Sequence, residues 1–168
     1  CGNGNFLIEI LNRKLSIVEK KYSKSQIEYE MNAVVSISSL YGVDILNDNV
    51  VECRKRLFAF FLEKYRTLYK ENIKEECLKS VEFILGKNII WGDALDYKMV
   101  DDKSKFITFC EWSPLNDFML KRRDFTLQQL LANEAFAEYA YSQGMDDFLI
   151  PDKEYPPIHF LRIHNDTE

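Results

Sequence analysis

The sequence predicts an α/β layered fold built on a mainly parallel sheet, and three observations carry that expectation. Apolar residues recur at helical spacing in several separate stretches. Short runs of strand-forming residues lie between them and end in glycine or acidic residues. The resulting order is glycine loop, helix, strand, helix, strand, strand, helix, and strands alternating with helices favour a layered fold with parallel strands.

The first six residues, Cys1-Gly2-Asn3-Gly4-Asn5-Phe6, place two glycines directly ahead of an apolar helical pattern. Such a loop lets backbone amides approach a ligand closely. A loop of this kind normally follows a strand, and here it opens the sequence. It reads as the second half of a motif, or as a frayed terminus. A first residue other than Met fits an internal fragment or a processed chain.

Asn5 to Tyr22 then reads as an amphipathic helix, with Phe6, Leu7, Ile10, Leu11, Leu15 and Val18 on its apolar side. Ser25 is placed to cap a second helix from Gln26 to about Ser36. The period then changes, and Leu40 to Val43 reads as a buried strand with Asp44 at its carboxyl edge. Asn47-Asp48 caps a long helix from Asn49 to about Tyr69, and a shorter one runs from about Ile73 to Leu85, stopped by Gly86. Ile89 to Trp91 is a second strand ending in Gly92-Asp93-Ala94. Lys98 to Lys105 is polar loop, and Lys105 to Cys110 is a third strand running into Glu111-Trp112-Ser113-Pro114. Asp124-Phe125-Thr126 opens a last helix, about Thr126 to Ser142, ended by Gly144. Residues 1–144 form the predicted domain and 145–168 an irregular tail, in which Ile158 to Ile163 makes an edge strand or packs down.

The chain has 168 residues, enough for one domain with a core, and its 46% apolar content excludes a disordered tail. A net charge of -5 weighs against autonomous DNA binding, although Lys121-Arg122-Arg123 and Arg54-Lys55-Arg56 are local basic clusters. Cys1, Cys53, Cys77 and Cys110 form no C-x-x-C pair, and His159 and His164 lie far from them, so no metal site is expected. Reduced thiols and the lack of a signal peptide or spanning segment point to a cytoplasmic protein away from membranes.

In open α/β sheets ligands sit at the carboxyl ends of the strands. A carboxylate there has two acceptor oxygens and suits the hydroxyls of a ribose. A second Asp after another strand suits the exocyclic amine of a purine. Asp44 and Asp93, with the glycine loop, therefore make a nucleoside-shaped set of groups.

These residues resemble those of S-adenosylmethionine-dependent DNA adenine N6-methyltransferases of restriction-modification systems. Cys1-Gly2-Asn3-Gly4-Asn5-Phe6-Leu7 is similar to the tail of the family's cofactor motif, D-P-x-C-G-x-G-x-F-L. Tyr41-Gly42-Val43-Asp44-Ile45, with Asn49-Val50 and Cys53-Arg54-Arg56-Leu57, resembles the second motif, and Ile89-Ile90-Trp91-Gly92-Asp93-Ala94-Leu95 the third. The resemblance covers about Cys1 to Phe109. It implies a Rossmann-like methyltransferase fold, incomplete because the first and later strands are missing. It also implies S-adenosylmethionine as cofactor, held by Cys1, Gly2, Gly4, Phe6, Asp44, Ile45, Asp93 and Ala94. Gly2 and Gly4 would face its methionine part, Asp44 its ribose and Asp93 its adenine. Where the family carries its catalytic Asn/Asp-Pro-Pro-Tyr/Phe, this chain carries Glu111, Trp112, Ser113 and Pro114. The implied partners are DNA, through a recognition region that is missing or partner-supplied, and a protein that covers the open sheet edge.

Plainer readings stand beside these. Asp44 and Gly92-Asp93 are also turn residues. Glu111-Trp112 also reads as structural, and the basic cluster at Lys121 as a solvated face. The rival functions are a non-catalytic α/β interaction subunit and another nucleotide-binding module. The lack of a Gly-Lys-Ser/Thr phosphate loop counts against a kinase or ATPase.

Overall fold

The structure, a computed structural model, describes residues 1–132 and 150–165. These residues form a mixed α/β fold with a helical layer and two small sheets. Helix α1 (Asn5–Tyr22) buries Leu7, Leu11, Leu15 and Val18, one stripe at four- and three-residue spacing. Helix α2 (Gln26–Ser38) packs against α1 on one side and α4 (Glu75–Asn88) on the other. Helix α3 (Asn47–Tyr69) buries Val50, Cys53, Leu57, Phe61 and Tyr65, all essentially inaccessible, against α1 and α4.

The helix that was expected to stop at Gly86 continues to Asn88. Its end is held from outside. Arg54 Nη2 donates to Gly86 O at 3.1 Å, and Arg54 Nε donates to Ile89 O at 2.8 Å. A guanidinium supplies donors that the last carbonyls of a helix lack.

Strand β1 (Gly42–Asp44) lies parallel to β2 (Ile89–Asp93), with Asp44 opposite Trp91, and α3 and α4 form the crossover between them. Strand β3 (Lys98–Met99) folds back antiparallel on β2. The second sheet is built on β4 (Thr108–Pro114) and β5 (Met119–Thr126), with β6 (Lys153–Glu154) and β7 (Ile158–His159) both on β5. All its pairings are antiparallel.

The mainly parallel sheet expected from the sequence is therefore reduced, among the described residues, to the β1–β2 pair. The cause is the connection after β4. Residues 115–118 turn at once, with Leu115 N–H donating to Met119 O at 2.8 Å and Asp117 and Phe118 at φ 58° and 59°. A link this short joins only antiparallel neighbours, because a parallel return needs a crossover of a dozen or more residues.

Asn88 fastens the two sheets together. Its fully buried amide donates to Ser38 O at 3.1 Å and Cys110 O at 2.9 Å, and its Oδ1 accepts from Cys110 N–H at 2.9 Å. After β7, Phe160–Asn165 forms a 3-10 helix that buries Phe160 and Ile163 and packs against α4.

The helix expected from Thr126 starts there. Gln129 Oε1 accepts from Thr126 N–H at 2.9 Å, and Thr126 Oγ1 accepts from Gln129 N–H at 3.3 Å, a reciprocal cap. Residues 127–132 are helical. The remainder of that helix to Ser142, its stop at Gly144 and the domain boundary after it lie outside the described residues. Among the described residues no helix is long and apolar enough to cross a membrane, and no group of three His, Cys, Asp or Glu is arranged to hold a metal.

Candidate functional site

The glycine loop and the first acid meet at the carboxyl end of β1. Gly2 and Gly4 have φ of 55° and 86°, in the left-handed region that glycine enters without steric cost. At Gly4 a second constraint applies, since an added Cβ would lie 2.8 Å from Cys53 Sγ and 3.3 Å from Cys53 Cα. The loop is thus pressed onto α3 at a point where only hydrogen fits. Gly42 plays the same part on the other side, where an added Cβ would meet Cys1 Cβ at 2.8 Å.

Helix α3 also grips the loop by hydrogen bonds. Arg56 Nη1 donates to Asn3 O at 2.9 Å and to Asn5 Oδ1 at 2.7 Å. Cys53 and Arg56 therefore act as a seat for residues 3–5. Sequence reasoning quoted both positions as part of a motif, and the structure gives the mechanical reason for their spacing on one helical face.

Asp44 closes the arrangement. Its Oδ2 accepts from Gly2 N–H at 2.8 Å, and its Oδ1 accepts from Leu46 N–H at 3.0 Å and Asn49 Nδ2 at 3.1 Å. The Cys1 nitrogen donates to Val43 O at 2.6 Å and lies 3.3 Å from Asp44 Oδ2. Desolvation pushes the Asp44 carboxyl up, but the donors from Leu46, Asn49, Gly2 and the Cys1 amino group outweigh it and hold its pKa down at about 2. The side chain keeps 13% of its surface exposed.

Asp93, the last residue of β2, emerges at the same end of the parallel pair, two residues beyond the partner of Asp44. Its Oδ1 accepts from Leu95 N–H at 3.0 Å, an Asx turn that shapes the Asp93-Ala94-Leu95 corner. Lys103 Nζ stands 3.9 Å from Asp93 Oδ2 and 4.0 Å from Asp96 Oδ2. Trp91 Nε1 donates to Ile45 O at 2.9 Å and so ties the turn after β1 to β2. Ile45, Leu46 and Leu95 are exposed on these turns, and Phe6 is exposed on the first turn of α1. Ala94 is exposed beside Leu95.

Cys1, Gly2, Gly4, Asp44 and Ile45 are thus gathered around one strand end, with Asp93 and Ala94 at the end of the next strand. Asn49, Trp91 and Lys103 hold or flank the same groups. Asn49 and Trp91 were quoted as members of the resembling motifs, and Lys103 only as part of a polar loop.

Glu111, Trp112, Ser113 and Pro114 lie elsewhere. They were expected in a turn after the third strand, but they form the second half of β4, in the other sheet. Glu111 Oε2 accepts from Arg123 Nε at 3.0 Å and its Oε1 accepts from Ser113 Oγ at 3.2 Å. Trp112 is buried in the core, while Pro114 is exposed at the strand's end, opposite Leu120. Cross-strand pairing with the Lys121–Arg123 stretch keeps this segment extended. The basic cluster itself is met by acids: Lys121 by Glu154 at 2.8 Å, Arg122 by Asp124 at 2.7 Å and Arg123 by Glu111 at 2.8 Å.

Chemically, the strand end offers a fixed carboxylate, a second carboxylate and exposed apolar side chains. Comparison with known protein families, with curated proteins and with solved structures finds no match for this chain.

Proposed function

We propose that the chain is the S-adenosylmethionine-binding part of a DNA adenine N6-methyltransferase-like protein of a restriction-modification system. The observation that carries the reading is the 2.8 Å hydrogen bond from Gly2 N–H to Asp44. It joins two of the resembling motifs across 42 residues of sequence. The parallel register of β1 and β2 supports it further by bringing Asp93 out at the same end. In this reading the glycine loop approaches the methionine part of the cofactor, Asp44 takes the ribose and Asp93 the adenine. Cys1, Phe6, Ile45 and Ala94 complete the enclosure. The cofactor would supply an electrophilic methyl group, and the chain's own residues would bind and orient it.

The reading carries a Rossmann-like layered sheet with it, of which β1 and β2 would be one parallel pair. It also carries DNA as substrate, a protein partner on the free edge of β1, and a cytoplasmic location. Glu111, Trp112, Ser113 and Pro114 stay with it as the candidates for the methyl-transfer end. A second reading, a non-catalytic module, draws on their position inside β4, where an extended backbone and an Arg123 ion pair occupy the segment. We therefore expect the isolated chain to bind cofactor without methylating DNA.

Titration calorimetry with S-adenosylmethionine tests the proposal. Saturable heat from the unmutated chain, lost in Asp44→Ala, is the expected result. No heat from the unmutated chain overturns the cofactor reading. DNA methylation by the isolated chain well above background overturns the expectation of impaired transfer.

A further inference from the structure

Arg54 sits in an unusual electrostatic position. Its Nε and Nη2 are committed to the carbonyl oxygens of Ile89 and Gly86 at the end of α4. Among the described residues it has no carboxylate partner. Burial disfavours its charged form and draws its pKa down. The two carbonyls and the negative end of the α4 dipole supply only a partial countercharge. A half-buried guanidinium in this state favours an anion, since desolvated charge is costly until it is paired.

The remaining guanidinium nitrogen, Nη1, makes no hydrogen bond among the described residues. Arg54 lines a groove of about 420 Å³ between α3 and α4. Val51, Phe58 and Leu85 give it apolar walls, and Lys55 and Glu82 stand at its margin. Val51, Arg54, Lys55 and Phe58 follow one another at positions that share a helical face. Lys55 and Glu82 have no ion-pair partner among the described residues, so two cations face one acid. The groove lies by Ile89, at the amino end of β2, opposite to the strand ends that carry Asp44 and Asp93.

We propose that this groove binds a small organic anion, a carboxylate carried on an aromatic or branched apolar body. Arg54 Nη1 and Lys55 take the carboxylate, and Val51, Phe58 and Leu85 cover the apolar part. The volume fits a ligand of that size, and apolar walls with few charged groups are the usual make-up of such sites. Glu82 disfavours dianions and keeps the preference for a single negative charge. The site uses no residue of the proposed cofactor site and stands or falls independently of it.

A methyl-labelled NMR titration of the full chain tests this, with 2-naphthoate as the probe and neutral 2-naphthamide as its counterpart. Saturable shifts at the Val51 and Leu85 methyls are expected with the acid, and binding of the amide about tenfold weaker, the difference that one charge-assisted hydrogen bond makes. Acetate, which has the charge without the body, is expected to bind more weakly than 2-naphthoate. Lys55→Gln weakens binding and Glu82→Gln strengthens it. Both side chains are at the surface, so these variants keep the fold even where Arg54→Met loosens the α4 end. Shifts that fail to saturate, equal affinity for acid and amide, or equal affinity for acetate and naphthoate each overturn the proposal.

Discussion

Gly2 N–H and Asp44 Oδ2 are 2.8 Å apart, so a loop at one end of the sequence and an acid after the second helix share one hydrogen bond. Because the donors to this carboxylate lower its pKa to about 2 from 3.8, the sign of its pH effect is fixed. The unfolded state binds the proton more tightly than the folded one between pH 4 and pH 2. The stabilisation is therefore complete above pH 4 and is lost as pH falls through 2. Asp44→Asn should cost about 1–3 kcal/mol at pH 7, the range for losing a charged acceptor of several N–H groups. Urea melts of both proteins should converge as pH drops from 4 to 2. A pH-independent difference would falsify the assignment.

Gly4 should be the least replaceable glycine. Gly4→Ala meets both a φ of 86° and a 2.8 Å contact with Cys53 Sγ, and should destabilise by about 2–4 kcal/mol. Gly2→Ala, at φ 55° with open space around it, should cost about 1–2 kcal/mol. Cys53→Ala should recover part of the Gly4→Ala loss. A double-mutant cycle by denaturation measures it, and strictly additive effects would rule out the contact as the cause.

Glu30 is a fully buried carboxylate that holds three helical segments together. It accepts from Tyr65 OH, from Gln26 Nε2 at 2.8 Å and from Lys74 Nζ at 2.8 Å. Tyr65→Phe should cost about 1 kcal/mol, and Glu30→Ala about 3 kcal/mol because its partners lose their acceptor. Thermal or urea unfolding gives both values. Equal costs would show that the carboxylate is not the hub.

Asn88→Leu removes both bonds to Cys110 and the bond to Ser38. We expect a loss of about 2–4 kcal/mol from the backbone groups left unpaired. Hydrogen exchange should speed up at Cys110 N–H first. Unchanged protection there would mean that the two sheets are held by packing alone.

Glu111→Gln should leave S-adenosylmethionine binding untouched, since its carboxylate pairs with Arg123 in the second sheet. Its stability cost should stay below about 1 kcal/mol, as for a partly exposed ion pair. Calorimetry of the variant decides it: a clear loss of cofactor affinity would bring this segment back to the binding end.

The helices were legible because each carries its own period. The expected Asn5 to Tyr22 span coincides with α1, and the long helix expected from Asn49 to about Tyr69 is α3, which begins two residues earlier. The convergence of Gly2, Asp44 and Asp93 was legible because strand ends follow from strand order. Of the second sheet only the first strand was legible, expected over Lys105 to Cys110 and found at Thr108–Pro114. Lys121-Arg122-Arg123-Asp124 looks like a solvated run, and it is a strand through its antiparallel ladder with β4, its cations met by Glu111 and Glu154. Those partners are distant in sequence, so no local signal could announce them. Gly86 misled for a similar reason, because the side chain that extends its helix comes from Arg54 in another one.

The donors around Asp44 have one more consequence. The turns supply backbone amides and an Asn side chain, with no lysine or arginine among the acid's hydrogen-bond partners. They steady the carboxylate, and the Cys1 amino group 3.3 Å away offsets part of its charge. Asp93 and Asp96 add to the same field, and Lys103 offsets only part of it. Asp44, Asp93 and Asp96 thus stand among the Cys1 amino group, Lys103 and the Arg56 guanidinium that holds the glycine loop, so charges of both signs alternate around this strand end. Raising the salt concentration should therefore change the affinity of a charged ligand at this end only slightly.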